Sequence, residues 1–137
     1  MLAEFQGSAM WRFNKGVRKE IWDEEIQWPI GDIEAAHRIR DICRSAADSA
    51  EKIAGLSEAP DDSKRKYDAE RYQRAAKAAM EIAIKISDGL LRDAAVRQIV
   101  ELCLKANDTR TARPLFRAIQ SQSIVEDLLR AHPSLSE

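Results

Sequence analysis

The stretch Tyr72-Gln-Arg-Ala-Ala-Lys-Ala-Ala-Met-Glu-Ile-Ala-Ile-Lys-Ile86 decides the fold. Its apolar side chains stand at Tyr72, Ala75, Ala79, Ile82 and Ile86, with Ala76 and Ala83 widening the row. The steps alternate between three and four, which keeps the row on one face of an α-helix. Asp88 follows, a side chain suited to accept from the free amides at the next helix start. The next helix carries two apolar sets. Leu91, Ala95 and Leu102 lie on one side, and Val96, Ile99, Val100 and Cys103 lie beside them. A stripe that wide predicts burial against two neighbours. Asn107 suits a left-handed stop and Asp108 a new start. A third helix then presents Ala112, Leu115, Phe116 and Ile119.

The connections between these helices are so short that consecutive helices must fold back on each other. The pattern also recurs. Ala79, Ile82, Ala83 and Ile86 match Ala112, Leu115, Phe116 and Ile119 at an offset of 33; Leu90, Leu91 and Asp93 match Ile124, Val125 and Asp127 at 34. The junction from Ile86 to Ala95 resembles that of degenerate bacterial tetratricopeptide repeats, whose period of paired helices is the same. The resemblance spans residues 72–130. It implies stacked helical hairpins and a binding role, with no catalytic residue to carry over. The expected fold is all-α, with five or six helices in antiparallel hairpins and the C-terminal half stacked in the tetratricopeptide manner.

Working toward the N-terminus, Asp32 is read as the cap of a long helix ending at Gly55, with the stripe Ala36, Ile39, Cys43, Ala46, Ala50 and Ile53. Its small side chains allow another helix to approach closely. The polar linker from Ser57 to Asp62 leads into that partner, so 32–56 and 63–87 are expected to form one long hairpin. Residues 88–132 then hold shorter helices. Small-residue stripes pair helices within one chain or between two, so a homo-oligomer stays open. Residues 11–31 contain Trp11, Trp22 and Trp28, and a short helix is expected from Gly16 to Gln27, ended by Trp28-Pro29. This aromatic segment is read as a lid over one end of the stack, or else as a binding patch anchored by tryptophan. Residues 1–10 resemble a cleaved tag or a disordered start and are set aside. At the other end, Ser123 and Glu126 stand in a capping-box relation before Leu128 and Leu129.

The totals fit a single helical domain over 11–137. The chain has 137 residues, is 45% hydrophobic and 33% charged, and has a formal net charge of -1. No global field draws it to nucleic acid or anionic lipid. The charge is divided, however. Residues 32–63 hold eight acidic and four basic side chains, and residues 64–137 hold ten acidic and fourteen basic. Cys43 and Cys103 are isolated from each other in sequence, which excludes a zinc knuckle. They read as small buried hydrophobes of a reducing, cytoplasmic setting. No apolar run reaches the roughly eighteen residues of a membrane span, and no signal pattern opens the chain.

Few residues combine into chemistry. Glu34, His37 and Asp41 share a helical face, but the second histidine, His132, lacks the glutamate a di-iron bundle requires. No cofactor is expected. His37 and Cys43 point apart on one helix, and no phosphate loop or nucleophile elbow is present. The expectation is therefore a protein without enzymatic activity that binds another protein. Arg110, Arg113 and Arg117 form one stripe, fitted to an acidic peptide segment, and Trp22 is the aromatic candidate. Lys64, Arg65, Lys66, Arg71, Arg74 and Lys77 form a second basic run. They supply the alternative, a nucleic-acid accessory role, which the acidic neighbours Asp68 and Glu70 weaken. A metal or small-ligand site in the helix core is the third alternative.

Overall fold

The structure, a computed structural model, describes residues 19–55 and 62–136. Within them the chain is all-α. Five α-helices run in order: α1 (Asp32–Ala54), α2 (Asp62–Ala83), α3 (Gly89–Lys105), α4 (Thr109–Ala118) and α5 (Gln122–Ala131). A 3-10 turn at Ile21–Asp23 precedes them, another at Pro133–Ser136 follows, and no strand occurs among the described residues.

The apolar rows are buried together. Tyr72, Ala75, Ala79, Ile82 and Ile86 join Ile39, Ile42, Cys43, Ala46 and Ala50 of α1 in one core. Two rungs of hydrogen bonds orient these helices. Asp32, at the start of α1, accepts from the amides of Ser87 (3.0 Å) and Asp88 (2.8 Å), just beyond α2. Ser49, near the end of α1, donates to Asp68 near the start of α2 at 2.8 Å. Start meets end at both rungs, so α1 and α2 run antiparallel.

The wide stripe of α3 has the consequence expected of it. Ile99, Val100, Leu102 and Cys103 are all 2% exposed or less, and α3 touches α1, α2, α4 and α5. This makes α3 the hub of the bundle. Its ends are set by Asp88, whose carboxylate accepts from the Leu91 amide, and by Asn107, whose φ of 62° turns the chain in the left-handed region. Asp108 then caps α4 by accepting from the Thr111 amide at 3.1 Å. A second carboxylate bridge forms near the start of α3. Asp93 of α3, 5% exposed, accepts from the amides of Gln120 (3.1 Å) and Ser121 (2.8 Å) where α5 begins.

Several local features differ from the sequence reading: α2 ends at Ala83, short of Ile86, and Ala35 rather than Ala36 is buried in α1. Asp32 does not cap its own helix; Gly31 holds the cap position, and the Asp32 carboxylate is used across the hairpin. Residues 24–27 are not helical, and the only helical turn of the described N-terminal segment is Ile21–Asp23. Burying Trp22 against α1 and α2 overrides the local helical period there. The cap of α5 is Ser121 and not Ser123. The Ser121 hydroxyl accepts from the Ile124 amide, while Ser123 lies inside the helix beside it. Asp93 fixes the Ser121 amide, and this tertiary bond moves the start two residues upstream. Residues 1–10, Trp11, Gly16 and the linker 57–61 lie outside the described residues.

The revised cap gives a test. Ser121→Ala is expected to cost about 1 kcal/mol, the usual value of a lost serine cap. Ser123→Ala, by contrast, is expected to fall within about 0.5 kcal/mol of the parent. Chemical denaturation of the two variants checks this, and the reverse order would restore Ser123 as the cap.

Candidate functional site

Two grooves and one arginine face are candidate places to meet a ligand among the described residues. The larger groove, about 1070 Å³, lies between the N-terminal strap (residues 20–28) and α1 with the end of α2. Ile42, Ala78 and Ile82 form its apolar floor; Ile21, Trp22, Ile26, Trp28 and Ile84 wall it. Trp28 is 39% exposed and Ile84 is 77% exposed.

One arginine holds the strap in place. The Arg71 guanidinium donates to both oxygens of Glu20, at 2.9 and 3.2 Å, and the Glu20 and Arg71 side chains are each only 16% exposed. Arg71 also donates to the Ser49 hydroxyl at 2.7 Å and lies 5.0 Å over the Trp22 ring. The hydrogen bonds to Glu20 hold its charge more firmly than usual, against a smaller opposing effect of burial. Arg74 pairs with Asp23 one turn further on. Trp28 packs under the Lys85 ammonium at 5.1 Å. Sequence reading missed this clamp, because Arg71 and Glu20 are 51 residues apart. The basic run containing Arg71 and Arg74 did mark the helix that supplies it.

The sequence-predicted residues are distributed as follows. Trp22 is 7% exposed, buried beneath Arg71, and its indole nitrogen has no hydrogen-bond partner among the described residues. Arg110 and Arg117 are exposed on α4, while Arg113 between them is half-buried, its Nε enclosed and without a hydrogen-bond partner among the described residues. Neither Arg110 nor Arg117 forms an ion pair with a described residue at contact distance; Arg110 contributes only a longer-range pull on Asp108. Glu34, His37 and Asp41 line the strap groove. Glu34 is bound to Arg38 at 3.2 Å, and no group of three metal-ligating side chains occurs among the described residues.

The two thiols and the Tyr72 phenol of the core are held in their neutral forms. Burial, with smaller contributions from Cys103 and Glu101, pushes the Cys43 thiol up to about 12. Burial likewise raises the Cys103 thiol to about 11. Neither is primed as a thiolate near neutral pH. Tyr72 donates to Asp108 at 2.6 Å, and burial together with that bond raises its hydroxyl well above the usual phenol range. Burial alone would raise the Asp108 carboxyl; the bonds from Tyr72 and Thr111 outweigh it and bring Asp108 below its ordinary value.

The second groove, about 620 Å³, runs along α1 and α3 to the end of α5. Arg40, Arg44, Lys105, Gln98, Glu101 and His132 rim it over Cys43, Ala47, Leu102 and Leu104. Among the described residues, no helix is long and apolar enough to cross a membrane. No family model matches this chain, and no curated protein or solved structure matches it either, so what the chain does rests on its own geometry.

Proposed function

We propose that this chain is a non-enzymatic protein-interaction module of stacked, tetratricopeptide-like hairpins, and that the outer face of α4 receives an acidic segment of a partner. The carrying observation is the pair of exposed guanidiniums, Arg110 and Arg117, which no described carboxylate neutralises at contact distance. Arginine forks match carboxylates in two-point contacts, and two of them on one rigid helix set a spacing for the partner.

The stacking reading draws support from a recurring junction. Asp88 and Ser121 are 33 residues apart and are both side-chain N-caps. The amides just there, Ser87–Asp88 and Gln120–Ser121, are each held by one aspartate of an earlier odd-numbered helix. With the caps aligned, Leu91 corresponds to Ile124 and Ala95 to Leu128, so a single offset of 33 replaces the mixed 33 and 34 of the sequence comparison. The odd helices also touch in series, α1 to α3 and α3 to α5, as the inner row of a helical repeat does. The two buried free thiols suit a reducing, cytoplasmic setting. Nucleic acid is the less favoured partner, because Arg71 and Arg74 of the second basic run are committed to Glu20 and Asp23.

Charge reversal tests the reading. Arg113 is unsuited to it, since its enclosed Nε makes a carboxylate there a folding defect. The variant is therefore Arg110→Glu with Arg117→Glu. Its melting is expected to stay close to the parent's, because exposed substitutions shift stability by about 0.5 kcal/mol or less. Its recovery of protein partners in a pull-down is expected to be lost. Normal recovery by the folded double variant overturns the proposal and moves the binding face to the strap groove.

A further inference from the structure

We propose that the groove along α1 and α3 is a binding site for a small phosphate monoester, separate from the partner face on α4. Charge is the first reason. Arg40, Arg44 and Lys105 are three cations on the rim, against the single carboxylate Glu101. Glu101 is itself engaged by Arg97 at 3.5 Å, so it does little to neutralise the groove. Arg40 has only its neighbour Asp41, on the other side of the helix, at 3.4 Å. With Arg40 paired to Asp41 and Glu101 paired to Arg97, Arg44 and Lys105 leave the groove an excess of two positive charges, which a phosphate monoester dianion matches.

Geometry is the second reason. Arg40 and Arg44 are one helical turn apart on α1 and both line the groove, Arg44 bordering the strap groove as well. Lys105 faces them from α3, and His132 closes the end as the residue that terminates α5. Lys105 is not consumed in capping its own helix. The carbonyls of Leu102, Cys103 and Leu104 already accept from the amides of Ala106, Asn107 and Asp108. The volume of about 620 Å³ exceeds what phosphate alone fills and falls within the range of small-molecule pockets. Ala47, Leu102 and Leu104 offer apolar contact to an organic body, and Gln98 offers it a hydrogen bond. The strap groove has no such excess, since Glu24, Glu34, Asp41 and Glu81 line it together with Arg38, Arg44 and Lys85.

Calorimetric titration of the full chain with phenyl phosphate tests the site, with inorganic phosphate and benzoate run in parallel. One molecule of phenyl phosphate is expected to bind per chain, more tightly than inorganic phosphate, which lacks the body, and than benzoate, which lacks the second charge. Arg44→Gln and Lys105→Gln are each expected to weaken it about tenfold, the size of one lost charge-assisted contact. Lys77→Gln on α2, outside the groove, is expected to leave it unchanged. Absence of saturable binding overturns the proposal. So does benzoate binding as tightly as phenyl phosphate, or equal weakening by Lys77→Gln, which would mean diffuse attraction only. None of these outcomes bears on Arg110 and Arg117, so the fate of the α4 face is decided separately.

Discussion

Arg71→Met is expected to destabilise the protein by about 1.5 to 3 kcal/mol, the range for hydrogen bonds to charged groups, because the pair is only partly buried. Methionine keeps an apolar stem against Trp22, so lost packing is a minor part of the effect. The major part is electrostatic. Glu20 loses both of its donors, and Asp68, 3% exposed, keeps only the Ser49 hydroxyl while its second oxygen already has no partner. Glu20→Gln is expected to cost less, because an amide oxygen still accepts from arginine. Combining the two changes is expected to cost less than their sum by more than about 1 kcal/mol, the coupling of groups in direct contact. Urea denaturation of the four proteins completes the cycle. Strict additivity would mean that Arg71 and Glu20 do not act as a pair. The folded Arg71→Met protein is also expected to show red-shifted tryptophan emission, since Trp22 loses its cover when the strap loosens.

The second large effect belongs to the hub. Ile99→Ala is expected to cost about 3 kcal/mol, within the range for deleting a fully buried aliphatic side chain. Ile99 has no solvent exposure, and four other helices surround α3, so the cavity cannot close by the shift of one neighbour. A matched change on the rim of the core, Ile53→Ala, removes a half-buried side chain and is expected to cost clearly less. Thermal or urea midpoints for the two variants measure the difference. Equal losses would place α3 at the periphery of the bundle.

Periodicity made most of the helical core legible. The rows at Tyr72–Ile86 and Leu91–Cys103 alternate at helical spacing, and a wide apolar stripe can only be satisfied by several neighbours. The starts at Asp88 and Asp108 and the stop at Asn107 were legible because one residue and its backbone geometry settle each of them. What was not legible depends on contacts between distant segments. The Asp32 carboxylate chooses amides 55 and 56 residues away over those of its own helix. Asp93 selects Ser121 as the start of α5, which no local pattern around Ser123 could reveal. The strap gives up a helix to bury Trp22 under Arg71. At the candidate face, spacing placed Arg110, Arg113 and Arg117 on one side, but the turn of α4 against the core encloses the middle one.

The proposed partner face is tested most directly by amide chemical-shift mapping of the isotope-labelled chain with a short glutamate-rich peptide, and a lysine-rich peptide as control. The glutamate peptide is expected to shift amides of Thr109–Ala118 most strongly, with loss of the shifts in Arg110→Glu, Arg117→Glu protein and none from the control. Shifts concentrated instead on residues 20–28, on the groove beside Arg40, Arg44 and Lys105, or nowhere, would contradict an acidic partner on α4.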